Sequence, residues 1–86
     1  MAFLAPTIHL NGTSKESLLN QQLAVYRAAL ELLNALAHAT PHDRDYYVQT
    51  DPRAGTIARG WHQIKVEHVR DIATEAEALA QQIQEG

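Results

Sequence analysis

The stretch "TSKESLLNQQLAVYRAALELLNALAHATP", residues 13–41, decides the fold. It holds no Gly, and its single Pro is its last residue, so nothing breaks a helix before Pro41. Thr13 and Glu16 stand three apart, as in a capping box, so the helix is expected to start at Ser14. Thr40-Pro41 ends it near Ala39, because the residue before a proline avoids the helical region. A helix over 14–39 would be roughly 39 Å long at 1.5 Å per residue. Its apolar residues fall on two stripes. One runs Leu19, Leu23, Tyr26, Leu30, Leu33, Ala37, and the other runs Leu18, Val25, Ala29, Leu32, Leu36. One packed neighbour needs one stripe. Two stripes predict two neighbours, and the chain has only one more long helix to offer.

That second helix is expected over residues 52–85. It starts either at Pro52, with Asp51 as cap, or at Ile57, with Thr56 as cap. The spacing Ile57, Trp61, Ile64, His68, Ile72, Ala76, Leu79, Ile83 predicts the face that meets helix 1, with Trp61 in the core. Arg59, Lys65 and Arg70 then fall on the outer, solvated face. Gly55 and Gly60 weaken the first turns by roughly 1 kcal/mol each relative to Ala, which predicts fraying or the close approach of another backbone. Residues 1–12 read as an extended arm with Phe3, Leu4, Ile8 and Leu10 to cover, and residues 40–51 as a loop. The expectation is an all-α single domain over 1–86: an antiparallel helical hairpin of two long helices with an extended N-terminal arm, assembled as a homo-oligomer.

Composition points the same way. At 86 residues without Cys, the chain has neither a large core nor a disulfide or zinc-thiolate staple, which leaves self-association to add burial. The net charge of −3 and the lack of any Lys/Arg block argue against nucleic acid as a partner. The N-terminus is too short and broken to span a bilayer and lacks the pattern of a signal peptide. A cytoplasmic protein is expected.

Two polar clusters are candidate ligand sites. The loop "HDRDYY", residues 42–47, joins Arg44 and Asp45 to Tyr46 and Tyr47. An arginine fork suits phosphate, and a tyrosine face can stack on a base. The alternative is structural: Arg44 pairs with an Asp, and the rings cover the open end of the hairpin. The second cluster, Asn11, Thr13 and Ser14, lies where helix 1 begins and free N–H groups favour an anion. Plain capping is the competing account. The clusters sit at opposite ends of helix 1, so one ligand can touch both only in a site shared between subunits. His68 interrupts an apolar stripe and is a further ligand candidate, against the alternative of a core histidine. His38 and His42 have a metal-like spacing, but Pro41 between them argues against one helical face, and no metal or cofactor is expected. No nucleophile stands with a clear base, and no phosphate loop or zinc signature occurs, so an enzyme is not expected.

The pairing of "NGTSKESLL", residues 11–19, with "RDYY", residues 44–47, after one long helix resembles a family of small helical phage and prophage proteins without an established activity. The likeness spans residues 8–47, and in helix 2 only the general pattern and Glu67-His68. Many members carry Asn-Gly where this chain has His42-Asp43. In size and layout the chain is also similar to phage sponge proteins that sequester nucleotide immune signals. The resemblance implies a phage protein, and the sponge analogy implies an anti-defence binding protein that sequesters a phosphorylated, nucleotide-derived signal. The alternative is a helical interaction module, an inhibitor or assembly factor, docking through exposed residues such as Leu18, Val25 and Leu32.

Overall fold

The computed structural model describes residues 3–10 and 12–86. Helix α1 spans Lys15–His38, a short 3-10 turn spans Asp43–Asp45, and helix α2 spans Ala54–Glu85. No strand occurs among the described residues. The two helices pack against each other along their length. Thr40 faces His62, Ala29 packs with Val69 and Ala73, and Gln22 lies near Leu79. Rising numbers on α1 meet falling numbers on α2, so the pair is an antiparallel hairpin, in a molecule 61 × 22 × 18 Å.

The cap of α1 sits one residue later than the Thr13/Glu16 spacing predicts. Ser14 is the cap: its backbone is extended (φ −62°, ψ 154°), and its Oγ accepts from the Ser17 N–H at 3.1 Å. With Ser14 in that conformation, the free N–H three residues on belongs to Ser17, and Glu16 becomes a first-turn acid beside the helix dipole. At the other end, Thr40 Oγ1 donates to the Ala37 carbonyl and the Ala39 N–H to the Leu36 carbonyl. These bonds close the helix before Pro41. Helix α2 also starts later than Pro52. The Asp51 carboxylate accepts from the Arg53 N–H at 2.8 Å, and the Asp51 carbonyl accepts from the Ala54 N–H. That turn absorbs Pro52 and leaves Ala54 as the first helical residue.

The face that α2 turns to α1 agrees with the predicted one in its C-terminal part, at Ala76, Leu79 and Ile83, and differs before it. Val69, Ala73, Ala76, Ala80 and Ile83 are buried, and Ile83 is only 2% exposed. The first five members of the expected stripe, Ile57, Trp61, Ile64, His68 and Ile72, are exposed, with Trp61 at 68%. Trp61 and His68 are therefore not core residues. Small side chains let two helices approach closely, and the alanine face wins the contact although it carries less apolar bulk. On α1 the contact face mixes both stripes: Tyr26, Ala29, Leu33 and Leu36 surround the buried cluster, while Val25, Leu30 and Leu32 stay exposed. The arm covers little with Leu4 and Leu10, which are almost fully exposed.

The glycines near the start of α2 separate cleanly. A Cβ at Gly55 would collide with the Asp43 carboxylate, a side chain and not a second backbone, whereas Gly60 has nothing near it. Gly60→Ala is expected to stabilise the chain by about 1 kcal/mol, from helix propensity alone. Gly55→Ala should give less, because Asp43 must move. Thermal melts of the two variants compare them; an equal gain would mean that Asp43 yields freely.

Candidate functional site

The loop end of the hairpin gathers most of the polar side chains of interest. His42 caps the 3-10 turn, its Nδ1 accepting from the Arg44 N–H at 3.1 Å. This turn holds Asp43, Arg44 and Asp45 on the open end of the hairpin. Arg59, from the second turn of α2, reaches back to form an ion pair with Asp43 and donates to Thr56 Oγ1 at 3.3 Å. Arg53 forms a second ion pair, with Asp51, at 3.3 Å. The Asp51 carboxyl is held below its ordinary value, first by the Arg53 backbone N–H and then by the Arg53 side chain. A depressed folded value means that this bond contributes above the ordinary carboxylate pKa and is lost as pH falls through the lowered one. The turn before α2 is thus held at neutral pH and loosens in acid.

Arg44 differs from its neighbours. It is exposed, and among the described residues its guanidinium forms no ion pair. An Asp–Arg pair was expected here as the structural alternative; the arginine that takes Asp43 is Arg59. Tyr46 is half-buried, and Tyr47 is 79% exposed. Both border a shallow hollow of about 220 Å³ shared with Asp43, Gly55 and Arg59. Asp45 is exposed beside them.

The other predicted ligand residues lie elsewhere. Thr13 and Ser14 are exposed at the start of α1, and the Ser14 hydroxyl is engaged in capping. Asn11 lies outside the described residues. The 24 residues of α1 separate Ser14 from the loop by roughly 36 Å at 1.5 Å per residue. His68 is exposed halfway along α2, roughly 21 Å from Ala54 by the same rise. Arg44, Asp45, Tyr46 and Tyr47 are consecutive at the loop end, with only the two tyrosines lining the hollow, and Thr13, Ser14 and His68 lie apart from them.

One feature was not anticipated. Arg59, His62 and Arg70, read as solvated or passed over, line a groove of about 380 Å³ between the helices, with Thr40 and Gln63 at its rim and Leu33, Ala37 and Val66 beneath. Thr40 Oγ1 and His62 Nε2 lie 3.4 Å apart across it. The signal was present in the spacing Arg59, His62, Gln63, Val66, Arg70, a helical face beside the bulkier stripe. His38 Nδ1 donates to the Asn34 carbonyl at 2.8 Å, and His42 is used in its cap. Among the described residues no group of three or more His, Asp or Glu is placed to hold a metal ion. No helix among them is long and apolar enough to cross a membrane.

No protein-family model, no curated protein and no solved structure matches this chain.

Proposed function

We propose that the chain is a non-catalytic phage or prophage binding protein that works as a homo-oligomer in the bacterial cytoplasm. In this reading it sequesters a small phosphorylated, nucleotide-derived signal in a site shared between subunits, an anti-defence role. The observation that supports it is the division of labour among the loop-end arginines. Arg53 and Arg59 are tied to Asp51 and Asp43, while Arg44 stands exposed and unpaired among the described residues, three positions along the chain from the exposed Tyr47. A cation not used within the chain, next to an aromatic face, suits a phosphate with a base attached. Arg44 would hold the phosphate, and Tyr47 or Tyr46 would stack. The α1 start of a second subunit, with Asn11, Thr13 and Ser14, would supply further donors.

Native mass spectrometry of protein purified without denaturation tests this. Expected is an oligomer carrying extra mass, or one that takes up a nucleotide from a panel of signals. Arg44→Ala should weaken that binding about 10- to 100-fold, the worth of one charge-assisted contact, while leaving the oligomer intact. An oligomer that stays empty with every nucleotide would overturn the ligand.

A second reading rests on a different observation, the uncovered apolar residues Val25, Leu32, Trp61 and Ile72. It makes the chain an interaction module docking on a host or phage protein. A co-purifying protein lost with Val25→Asp, but retained with Arg44→Ala, would favour it.

A further inference from the structure

One flank of the hairpin is polar and holds the Arg59–His62–Arg70 groove. The opposite flank is apolar. There Val25, Ala28, Leu32, Val69 and Ile72 line a groove of about 250 Å³ with no polar side chain in it, and Trp61 and Ile64 continue the exposed apolar face of α2 toward the loop. We infer that this flank is the interface with a second copy of the chain, packed α2 against α2 in antiparallel register about a twofold axis at His68. The inference deepens the proposed homo-oligomer, on which it rests, by naming its surface and geometry.

Three observations select a second copy as the occupant. The first is area. The chain exposes 6654 Å², against about 5,100 Å² expected for a compact monomer of its mass. The excess of about 1,500 Å² is shared by the arm and the hairpin, and a standard interface needs only about 800 Å² from each partner. The second is shape. The radius of gyration of 18.5 Å far exceeds the roughly 12 Å of a compact chain of this length, and the buried apolar residues are Ala29, Val69, Ala73, Ala76, Ala80 and Ile83, mostly alanine. Two long helices with that little core need more burial, and a second hairpin completes a four-helix bundle.

The third is self-complementarity, which a twofold interface requires. About an axis at His68, Ile64 meets Ile72 of the second copy and Ile57 meets Leu79. Trp61 comes level with Glu75, whose carboxylate can accept from the indole N–H, while Lys65 and Asp71 fall on opposite edges of the seam, about 60° to either side of His68. A register with its axis one turn earlier, at Ile64, sets Ile57 against Asp71 and Ile72 against Thr56, losing both apolar pairs. The same geometry has a consequence at the ends. The start of α2 in one copy comes level with Gln82 of the other, at the end of the bundle where the other copy's α1 begins. Each loop cluster is thereby brought to the same end as the Thr13–Ser14 cluster of the second copy.

The chain has no Cys, so single cysteines read the register directly. A residue on the axis meets its own copy, within the short Cα separation that a disulfide demands. Copies of Ile57 would lie about 33 Å apart at 1.5 Å per residue. Oxidised His68→Cys should therefore crosslink at least about tenfold more than Ile57→Cys, with Gln63→Cys, on the polar flank, as low as Ile57→Cys. Sedimentation equilibrium of the unaltered chain should give twice its mass. A monomer with a cooperative melt would overturn the interface, as would equal crosslinking at His68 and Gln63 or strong crosslinking at Ile57. Failure of the ligand reading is distinct: an unaltered dimer that binds no nucleotide, its register reported by crosslinking of His68→Cys, supports the interface and removes the ligand, while a monomer that holds a nucleotide does the reverse.

Discussion

An Ala73→Asp chain is expected to lose most of its helical circular dichroism at room temperature. Ala73 is buried in the cluster with Ala29 and Val69, against Tyr26, Leu33 and Leu36, surroundings that carry no positive charge to pair with a carboxylate. Burying an unpaired carboxylate costs several kcal/mol. A domain of this length holds about 4–13 kcal/mol in all, and a pair of helices joined mainly through alanines belongs at the low end. The added atoms also force apart helices that meet there through small residues. Thr74→Asp, one residue on and exposed, is the control and should change stability by no more than about 0.5 kcal/mol. If Ala73→Asp folds as well as Thr74→Asp, the alanine face is not where the helices meet.

Ile72→Glu is expected to dissociate the dimer without this direct effect on the hairpin core. Ile72 is exposed in the single chain and lines the apolar groove with Val25 and Leu32. The proposed dimer would contain it twice, opposite Ile64 of the other copy. Ile72 is 49% exposed in the single chain, so each copy stands to lose about half of the roughly 1.5–3 kcal/mol for burying an isoleucine, and two losses correspond to a dimer about 10- to 100-fold weaker, before the cost of placing two carboxylates in an apolar seam. Sedimentation equilibrium at several concentrations measures it. Gln63→Glu, on the polar flank, should leave the dimer unchanged. A dimer that survives Ile72→Glu would move the interface off the apolar flank.

The two substitutions address the two faces of α2, and those faces mark where the sequence could be read and where it could not. That residues 15–38 and 54–85 are helices followed from local chemistry: long runs free of breakers, a hydroxyl at one end, a proline past the other. The antiparallel hairpin followed from the short connection. The loop cluster was also legible, because Arg44, Tyr46 and Tyr47 are neighbours in the chain and need no fold to bring them together.

The partner of Asp43 was not legible. Arg59 lies a loop and a helical turn away, and only folding decides that it, and not the adjacent Arg44, takes the aspartate. The contact face of α2 was not legible either. The bulky stripe joined Ile57, Trp61, Ile64 and Ile72 to Ala76 and Ile83, whereas the helices meet through the last two together with Val69, Ala73 and Ala80. Periodicity shows that a helix has two apolar faces but not which one a given neighbour takes. That choice depends on how closely two backbones can approach, a property of both helices together. Local chemistry along the chain set the helices and their ends to within a residue or two. The tertiary structure decided that the small-residue face is spent inside the hairpin, which leaves the bulky apolar face turned outward.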